Sequence, residues 1–300
     1  MTAPTKLRVA ILGSGNIGTD LLIKARRSPR LECTLFVGRN KESKGMKLAA
    51  DMGVTVSDRS IDAILENPDV CDLVFDATSA QDHLKHWPLL KNLGKSVIDL
   101  TPSKIGEMCI PALNAGSVLT YQNVNMVSCG GQASVPLAHL IGLTHGEVEY
   151  IEVVSSIASQ SAGPATRANI DQYVETTENA LRQFSGAKKA KTILNLNPAQ
   201  PSIDMQTTIF ALVHNPRLGE LTPLVEEMVK KIQTYVPGYE LIIPPRIDNG
   251  RLMMMVRVRG QGDFLPSFAG NLDIITAASI RIAEACAQHS THSYAEDPYQ

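Results

Sequence analysis

The residue types most suited to catalysis lie in the stretch MVSCGGQASVP, where Cys129 stands between an apolar run and two glycines. Pro136 precedes the helix-like segment LAHLIGL, and proline is favoured in a first helical turn because its missing N–H is not needed there. We therefore expect Cys129 at or just before a helix N-terminus. Thiols at such positions can have a pKa below the usual value of about 8.5, which increases the nucleophilic thiolate fraction. The two glycines leave room for a substrate and for amides that face an oxyanion.

The usual role of a single cysteine is to fill a small apolar space. That role fits Cys33, Cys71 and Cys286, which lie in apolar strand or helix patterns, whereas Cys109 is ambiguous. The five cysteines include no CxxC pair and no His/Cys cluster at metal-ligand spacing, so we predict neither a metal site nor a disulfide framework. Reduced thiols are typical of a cytoplasmic protein.

A second motif, GSGNIG (13–18), has G-x-G-x-x-G spacing, follows the run RVAIL and opens the helical segment TDLLIKARR. This strand–loop–helix context indicates a dinucleotide site rather than a turn without a ligand. Gly13 permits the tight turn, Gly15 lets the backbone approach the diphosphate, and Gly18 lets the helix pack closely on the strand. The diphosphate would contact unpaired amides at the positive end of the helix dipole.

The choice between NAD and NADP depends on the end of the second strand, where an NAD site usually has an acidic residue for the ribose 2′-hydroxyl. Here the strand CTLFV is followed by Gly38, Arg39 and Asn40. Arg39 could accept a 2′-phosphate or be a solvated loop residue, and Asn40 could bond a plain ribose. These residues leave both dinucleotides open.

A thiolate beside a nicotinamide restricts the reaction. The thiolate can add to an aldehyde, the thiohemiacetal can lose a hydride to the cofactor, and an acceptor must then resolve the thioester. Water would give an acid, phosphate an acyl phosphate and coenzyme A an acyl-CoA. The alternative from another class is a dinucleotide-binding sensor without turnover, in which Cys129 is structural.

The elements that position these residues are β-branched strands that alternate with helical segments, which predicts an α/β fold with a mostly parallel sheet. The predicted strands are 8–12, 33–37, 72–77, 95–100 and 118–123. A Ser/Gly/Pro loop at about 155–166 marks the end of the alternating strand and helix pattern. The elements expected after it are a polar helix (ANIDQYVETTENALRQF), a strand (TILNLN), an amphipathic helix (TPLVEEMVKKIQTY), two strands (YELIIP and RLMMMVRVRG) and a final apolar helix.

Composition limits the function classes. Three hundred residues, 44% of them hydrophobic, are enough for two domains with buried cores. The formal net charge of -2 provides no concentrated basic face for nucleic acid, and no apolar run approaches the roughly 20 residues that span a bilayer. We expect neither nucleic acid nor a membrane as a partner. The basic run GAKKAKT could meet coenzyme A phosphates, but such a run is more typical of an exposed face.

The segment SCGGQASVP resembles the part of glyceraldehyde-3-phosphate and semialdehyde dehydrogenases in which a Ser-Cys pair starts a helix. Over nearly its full length the chain is similar to the acylating acetaldehyde dehydrogenases of aromatic meta-cleavage pathways. The similar pieces are AILGSGNIGTDL, VFDATSA, IDLTPSKIG, NVNMVSCGGQA, SIASQSAGPATRANIDQY and GNLDIITAA. The resemblance implies oxidation of acetaldehyde or another short aldehyde to acyl-CoA with NAD and coenzyme A. It also implies a channelling complex with 4-hydroxy-2-oxovalerate aldolase. A semialdehyde or acyl-phosphate reductase of the same fold is the nearest alternative.

The resemblance also implies roles for individual residues. Cys129 would be the acyl-thioester nucleophile, Asp204 would tune the thiol or move a proton, and Asn169 and Ile170 would line the aldehyde route. The implied cofactor contacts are Gly13, Ser14, Gly15, Asn16, Ile17, Gly18, Ser161, Ala162, Gly163, Pro164, Ala165, Thr166, Arg167, Ala168, Asn169 and Asn271. Without the resemblance, residues 161–169 would be a Gly-Pro loop that leads into a helix, and Asp204 a solvated carboxylate.

The implied architecture is an N-terminal Rossmann domain with a doubly wound parallel sheet, followed by an α+β catalytic and dimerisation domain of the glyceraldehyde-3-phosphate dehydrogenase-like type. We predict the first domain at 1–128 plus 269–300, with the C-terminal helix returning to it, and the second at 129–268. A homodimer is expected. No histidine lies in a recognisable base motif, so we assign no general base.

Overall fold

A computed structural model describes residues 6–293 of the chain. The chain forms two compact units, one that extends to Met126 and resumes at Thr276, and one that comprises Val127–Ile275. The domain boundaries at 128 and 269 stay a prediction, because compactness alone does not show which segments fold independently. Within residues 6–293, no helix combines the length and the apolar character needed to cross a bilayer.

The first unit is built on a seven-stranded sheet in which neighbouring strands are parallel. Its strands are β1 (Leu7–Leu12), β2 (Leu31–Val37), β3 (Val56–Ser57), β4 (Leu73–Asp76), β5 (Ser96–Asp99), β6 (Glu107–Met108) and β7 (Asn123–Asn125). Its helices up to residue 126 are α1 (Asn16–Arg27), α2 (Lys44–Asp51), α3 (Asp62–Leu65), α4 (Ala80–Asn92) and α5 (Pro111–Asn114).

The strand order β3-β2-β1-β4-β5-β7-β6 confirms the predicted doubly wound sheet. β1 lies between β2 and β4, so the strand order reverses beside it. In such sheets ligands bind outside the carboxyl ends of the strands at this switch point. Residues 9–12 of β1 are fully buried, as expected for a parallel strand covered on both faces. The chain leaves this strand directly into the glycine-rich loop 13–18.

The predicted strand 118–123 is wrong. Residues Ser117–Thr120 form a 3-10 turn, and the strand in this region is β7, with the polar sequence NVN. Val118 is buried as a single anchor, whereas Asn125 is held in the sheet by its side chain, which donates to Asp99 Oδ2 at 2.7 Å. The apolar signal in the sequence therefore marked the turn, and a polar hydrogen bond stabilises the strand.

The second unit contains a five-stranded mixed sheet in which β8 and β9 are parallel and the other pairs antiparallel. Its helices are α6 (Cys129–His145), α7 (Pro164–Ala168), α8 (Ile170–Ser185) and α9 (Leu218–Gln233). Its strands are β8 (Val148–Ala158), β9 (Lys189–Asn197), β10 (Met205–Val213), β11 (Tyr239–Asp248) and β12 (Arg251–Val258). The sheet order β11-β12-β10-β8-β9 confirms the predicted α+β unit.

One face of this sheet packs against α6, α8 and α9, and the alternation along β10 shows it. Ile209 and Ala211 are buried, whereas Phe210 is half-buried and Leu212 is 41% exposed. The predicted loop at 155–166 begins later than expected, because β8 continues to Ala158. Its serine hydroxyls gave a loop signal, yet Ser155 is buried and its Oγ lies 2.9 Å from Thr207 Oγ1 on the adjacent strand.

The last helix, α10 (Gly270–Ser293), starts in the second unit and ends in the first. Its part in the first unit packs against α1, where Thr276 Oγ1 donates to Asp20 Oδ2 at 2.5 Å and Glu284 accepts from Ser28 at 2.6 Å. Asp20 also forms a buried ion pair with Lys24, 2.7 Å away. These contacts fix the helix that follows the glycine-rich loop.

A fully buried polar cluster lies at the carboxyl ends of β4 and β5. The Nδ1 atoms of His83 and His86 each lie 2.9 Å from Asp76 Oδ2, so both donate to that carboxylate. His83 Nε2 lies 3.4 Å from Asp99 Oδ2, which accepts from Ser103 at 2.6 Å. The cluster joins β4, β5 and α4 behind the turn that packs against Gly13.

The pKa values in this cluster move in opposite directions. Burial, partly offset by the charge of His83, raises the pKa of Asp99 to about 6. Burial would also raise the pKa of Asp76, but the hydrogen bonds from His83 and His86 lower it to about 2. Burial lowers the pKa of His83, yet the Asp76 hydrogen bond and the Asp99 charge raise it overall. The folded unit therefore binds a proton at Asp99 and His83 more tightly than the unfolded chain.

We expect the free energy of unfolding of the wild type, relative to Asp99→Asn, to fall as pH rises from about 4 to 7. Between the unfolded value of 3.8 and about 6, native Asp99 holds a proton that the unfolded chain has lost. The raised pKa of His83 continues this decline above 6.5. The Asp76 contribution has the opposite sign and is lost only as pH falls from 3.8 towards 2. The expected difference is on the order of 2 kcal/mol, measured by urea denaturation across this range.

Asp72→Asn is the matched control, because Asp72 forms an exposed ion pair with Arg8 in the same unit. Exposed pairs contribute about 0–1 kcal/mol, so its stability profile should run parallel to that of the wild type between pH 4 and 7. An Asp99→Asn profile that is also parallel to the wild type would contradict the assignment of a retained proton to this cluster.

Candidate functional site

Helix α6 begins at Cys129, which confirms the expected position of the thiol at a helix N-terminus. Ser128 is the N-cap, and its Oγ accepts a hydrogen bond from Gly131 N at 2.9 Å. Pro136 lies inside the helix rather than in its first turn, so that part of the prediction is wrong. The Ser128 cap starts the helix seven residues earlier, and the proline ring replaces the N–H that would bond to residue 132.

A chain of hydroxyl groups joins this helix start to α8. Thr177 Oγ1 donates to Tyr173 O at 2.6 Å, so it accepts from Ser128 Oγ, 2.7 Å away. Ser128 in turn accepts from the amide of Gly131. Every proton in the chain has an acceptor, and Ser128 and Thr177 are buried. The residue before the thiol is therefore fixed to a second helix rather than to a loop.

The residues around Cys129 leave a space that a tyrosine hydroxyl occupies. A Cβ atom on Gly130 would lie 2.0 Å from Tyr173 Oη and 3.1 Å from Ser155 Oγ. Gly130 is required because any side chain would displace the Tyr173 hydroxyl. Tyr173 is buried, and its backbone N–H bonds to Asn169 O one helical turn earlier. The start of α8, with Asn169 and Ile170, is thereby brought towards the start of α6.

Residue Cys129 as a whole is half-buried, and enough protein surrounds its sulfur to desolvate the thiol. Burial raises its pKa to about 11, while the Gly130 amide and the Tyr173 hydroxyl act in the lowering direction. The sequence-based expectation of a lowered pKa at this helix terminus is therefore wrong for the protein alone. Desolvation outweighs the helix N-terminus, and thiolate formation needs every donor near the sulfur.

The other cysteines have different surroundings. Cys33, Cys71 and Cys109 are buried, and burial raises the pKa of each thiol. Cys33 and Cys71 therefore match the prediction of buried apolar fillers, and burial resolves the ambiguity of Cys109. Cys286 is half-buried rather than buried, and burial raises its pKa to about 11. Cys286 lies within α10 instead of at a helix start, which makes it a useful control for Cys129.

The glycine-rich loop has the backbone that its spacing predicts. Gly13 has φ +118°, and a Cβ atom there would lie 2.6 Å from Ala77 O. A Cβ on Gly18 would lie 1.8 Å from Gly13 O. A Cβ on Gly15 would meet no protein atom within 4 Å. The N-cap of α1 is Gly15, which has no side chain, and the first turn holds no acidic residue. Open space beside uncapped amides fits a dinucleotide diphosphate, with Ser14, Asn16 and Ile17 as the remaining loop residues.

The end of β2 keeps the ambiguity found in the sequence. Arg39 is exposed, and Asn40 Oδ1 accepts from Glu42 N at 2.9 Å, so the Asn40 side chain shapes its own turn. Gly38 packs against Ser14, since a Cβ on Gly38 would lie 2.5 Å from Ser14 Oγ. No carboxylate occupies the usual position of the ribose ligand.

The second predicted cofactor segment forms a 3-10 turn, the short helix α7 and the start of α8. Ser161 is buried and donates to Ala158 O at 2.8 Å. The Arg167 guanidinium donates to Ala162 O and to Ser159 O and Oγ, at 2.9–3.1 Å, so it holds the segment together. The remaining members are Gly163, Pro164, Ala165, Thr166 and Ala168, and the side chain of Ala165 lies outside the described residues.

Two further predicted residues lie in the second unit. Asn271 is 5% exposed, and its Oδ1 has no hydrogen-bond partner among residues 6–293. An unsatisfied buried amide oxygen fits the carboxamide NH₂ of a nicotinamide. Asp204 Oδ2 instead accepts from Arg259 Nε and Nη2 at 3.2 and 3.1 Å. Asp204 is therefore already paired with a guanidinium.

The basic run GAKKAKT matches an exposed face. Lys188 forms an ion pair with Glu149 at 2.5 Å, and Lys191 lies 3.7 Å from Glu178. Both lysine side chains are more than half exposed, and surface pairs of this kind contribute little to stability. Their charges are largely balanced by these acidic neighbours.

Sequence reasoning missed Tyr173 and Thr177, the two α8 residues that contact the start of α6. Both residues lie in the predicted polar helix, to which the sequence pattern gives no functional role. Their spacing of four residues places them on one helix face, and both are buried in a helix whose other residues are mostly polar. A tyrosine and a threonine on the apolar stripe of a polar helix were the signal that could have identified them.

Comparisons with known proteins match two families to separate segments of the chain. Residues 129–266 match the family described as prokaryotic acetaldehyde dehydrogenase, dimerisation. Residues 8–113 match the semialdehyde dehydrogenase NAD-binding domain. The two matches divide the chain between a nucleotide-binding part and a part that begins at Cys129.

Curated relatives match the chain over nearly its whole length. An acetaldehyde dehydrogenase of Pectobacterium atrosepticum is 58% identical over 93% of this chain and 95% of its own. One from Spirochaeta aurantia is 59% identical over 95% and 96%, and one from Geobacillus stearothermophilus is 47% identical over 95% and 97%.

Solved structures show the same fold at low identity. Aspartate semialdehyde dehydrogenase II from Vibrio cholerae has a TM-score of 0.64 at 11% identity, and the alignment covers 97% of this chain and 100% of that one. The enzyme from Candida albicans, solved with NADP, has a TM-score of 0.64 at 12% identity, with 94% and 100% coverage. These two structures support the predicted glyceraldehyde-3-phosphate dehydrogenase-like architecture.

Proposed function

Because the chain belongs to the prokaryotic acetaldehyde dehydrogenase family, we propose that it oxidises acetaldehyde, or another short aldehyde, to an acyl-CoA with NAD and coenzyme A. The observation that carries this proposal is the Cys129 thiol at the first position of α6, on a residue that is only half-buried. The same chain contains a glycine-rich loop with the open cradle of a dinucleotide site. A nucleophile and a hydride acceptor are the two parts that aldehyde oxidation needs.

In the proposed reaction the Cys129 thiolate adds to the aldehyde carbonyl carbon, which becomes a tetrahedral thiohemiacetal on the enzyme. A bound nicotinamide would supply the hydride acceptor, and loss of the hydride from this carbon would leave a thioester on Cys129. The Gly131 amide is used by the Ser128 cap, and the first two amides of α6, those of Cys129 and Gly130, would suit the oxygen that carries negative charge in the tetrahedral species. The thiol of coenzyme A then attacks the thioester, which releases acyl-CoA and restores Cys129.

We assign the cofactor contacts to Gly13–Gly18, to residues 161–169 and to Asn271. The loop would hold the diphosphate through its amides, and the unsatisfied Asn271 Oδ1 would accept from the carboxamide. Asn169 and Ile170, at the start of α8, would line the aldehyde route. Asp204 would tune the thiol or move a proton only after its ion pair with Arg259 is broken. NAD is the proposed oxidant. NADP would also be tolerated, because the exposed Arg39 could accept its 2′-phosphate.

The reductase alternative of the same fold uses phosphate in place of coenzyme A. The test mixes the protein with acetaldehyde and NAD and adds either coenzyme A or phosphate as the acyl acceptor. The formation of NADH is then measured by absorbance. We expect turnover only with coenzyme A, because the resemblance of the sequence to the acylating acetaldehyde dehydrogenases implies coenzyme A as the acceptor. Turnover with phosphate alone would overturn the proposal. Mass spectrometry after a quench without coenzyme A should show one acetyl adduct, on Cys129, and binding of NAD without any turnover would favour a sensor.

The match of residues 129–266 to a dimerisation domain supports a homodimer. We also propose a channelling complex with 4-hydroxy-2-oxovalerate aldolase in the cytoplasmic breakdown of aromatic compounds. The support is the resemblance to the meta-cleavage enzymes, together with five cysteines that form no disulfide within residues 6–293, which suits a reducing compartment. Co-purification of the tagged chain with this aldolase at low micromolar concentration tests the complex. Separate elution of the two proteins would count against it.

A further inference from the structure

The Tyr173 side chain is the least explained polar group beside the proposed nucleophile. It is 6% exposed, and among residues 6–293 its hydroxyl makes no hydrogen bond of acceptable geometry. A buried hydroxyl without a partner destabilises a fold, and a phenylalanine would fill the same space without that penalty. The hydroxyl therefore calls for an explanation outside packing.

The position of the hydroxyl supplies one. Tyr173 Oη lies 2.0 Å from the position that a Cβ atom on Gly130 would take. Gly130 directly follows Cys129, the residue that carries the thiol. The two groups affect each other: the Tyr173 hydroxyl acts to lower the pKa of Cys129. Burial, and next the charge of a Cys129 thiolate, raise the pKa of Tyr173 well above 10. Tyr173 thus stays protonated at any working pH, and it can act as a donor.

We propose that Tyr173 is a positioning residue whose hydroxyl donates a hydrogen bond to the Cys129 sulfur when the thiol ionises and so stabilises the thiolate. The proposal rests on the proposed function in one respect, that Cys129 is the nucleophile. In the resting state the thiol is a weak partner and the pair does not reach hydrogen-bond geometry. Ionisation turns the sulfur into a charged acceptor, and charge-assisted hydrogen bonds are shorter and about twice as strong as neutral ones.

The surrounding contacts keep the donor in place. Thr177, one turn after Tyr173, connects α8 to Ser128 through two hydrogen bonds of 2.6 and 2.7 Å. Cys129 follows Ser128 directly, so donor and sulfur are carried by two helices that are fixed to each other. Ser155 Oγ, held by Thr207 at 2.9 Å, bounds the space on the strand side.

The test is the alkylation rate of Cys129 in Tyr173→Phe, with iodoacetamide at about pH 9 and peptide mass spectrometry to separate the five thiols. When the pH of the assay is below the Cys129 pKa of about 11, the alkylation rate is proportional to the thiolate fraction. This fraction falls tenfold for each unit by which the pKa rises. We expect Cys129 to react about tenfold more slowly than in the wild type. Cys286, half-buried with a pKa also raised to about 11, should react at an unchanged rate in the same sample.

Two further variants separate this role from a loss of packing. Tyr239→Phe removes another buried hydroxyl, one that donates to Ala133 O of the same helix at 2.7 Å, and should leave Cys129 alkylation unchanged. Gly130→Ala keeps the tyrosine but displaces its hydroxyl, and should slow alkylation as Tyr173→Phe does. Thermal melting checks that each variant is folded.

An unchanged or faster Cys129 rate in folded Tyr173→Phe overturns the proposal, as does an equal slowing in Tyr239→Phe. The assay contains no NAD, aldehyde or coenzyme A, so its outcome does not depend on the reaction. Failure of the proposed function would appear separately, as aldehyde oxidation that survives Cys129→Ser.

Discussion

Cys129→Ser is expected to lower kcat/KM for acetaldehyde oxidation by about 10³-fold or more, since nucleophile replacements in covalent catalysis cause losses of this order or larger. A serine hydroxyl is not ionised at neutral pH, and the donors around residue 129 are placed for a sulfur anion rather than for proton removal from an alcohol. The substitution only replaces the sulfur atom by a smaller oxygen atom, so Ser128 should still cap α6. NAD affinity and the melting temperature should stay near the wild-type values.

Steady-state kinetics, NAD titration and quenched mass spectrometry check this result together. Cys286→Ser is the matched control, because Cys286 is the other half-buried cysteine and has a similarly raised pKa. It should retain wild-type kinetics and still form the acetyl adduct at residue 129. Retention of more than about a tenth of the activity in Cys129→Ser would contradict the nucleophile assignment, since a loss of only tenfold is about 1.4 kcal/mol in the barrier.

The sequence predicted the parts of the fold that depend on local pattern. β1 and the helix after GSGNIG could be predicted because a buried parallel strand is a continuous apolar run and the loop needs glycine at three fixed positions. The start of α6 at Cys129 was predicted from Pro136, which lies deeper in the helix than expected, and the local signal that marks the start is the N-cap Ser128. Each of these features is encoded within about ten residues.

Features that depend on distant residues could not be predicted. The strand β7 is stabilised by a hydrogen bond from Asn125 to Asp99, 26 positions away. The raised pKa of Cys129 comes from burial by elements that the local sequence does not contain, and it reverses the direction expected from the helix terminus. Tyr173 reaches Gly130 only because α8 packs on α6. Local chemistry points to Cys129 as the proposed nucleophile, and tertiary packing determines how strongly its thiol ionises.

The second large effect is expected at Gly15, where alanine should raise the Kd for NAD by about tenfold or more, a loss of about 1.4 kcal/mol, with little change in stability. Gly15 has φ −78° and ψ −168°, an extended conformation that alanine adopts freely. Its Cβ would meet no protein atom within 4 Å, so the fold has nothing to rearrange. That open space is where the diphosphate would approach the loop amides, and a methyl group there holds it away.

Gly18→Ala provides the contrasting result from the same loop. Its Cβ would lie 1.8 Å from Gly13 O, so the helix has to move from the strand, and overpacking of this kind costs about 1–3 kcal/mol. In a unit of this size the melting temperature falls by about 2–4 °C per kcal/mol. Both variants lose NAD affinity, but only Gly18→Ala should lose stability.

Gly116→Ala controls for the glycine-to-alanine change itself. Gly116 has φ −70°, its Cβ would also meet nothing within 4 Å, and it lies outside the glycine-rich loop. Like Gly15→Ala it should be neutral or slightly stabilising, because alanine has less backbone freedom to lose on folding. Calorimetric titration with NAD and thermal melting on all three variants distinguish the two causes. Wild-type NAD affinity in Gly15→Ala would show that the diphosphate does not approach the backbone at residue 15, since the added methyl group has no other atom to displace.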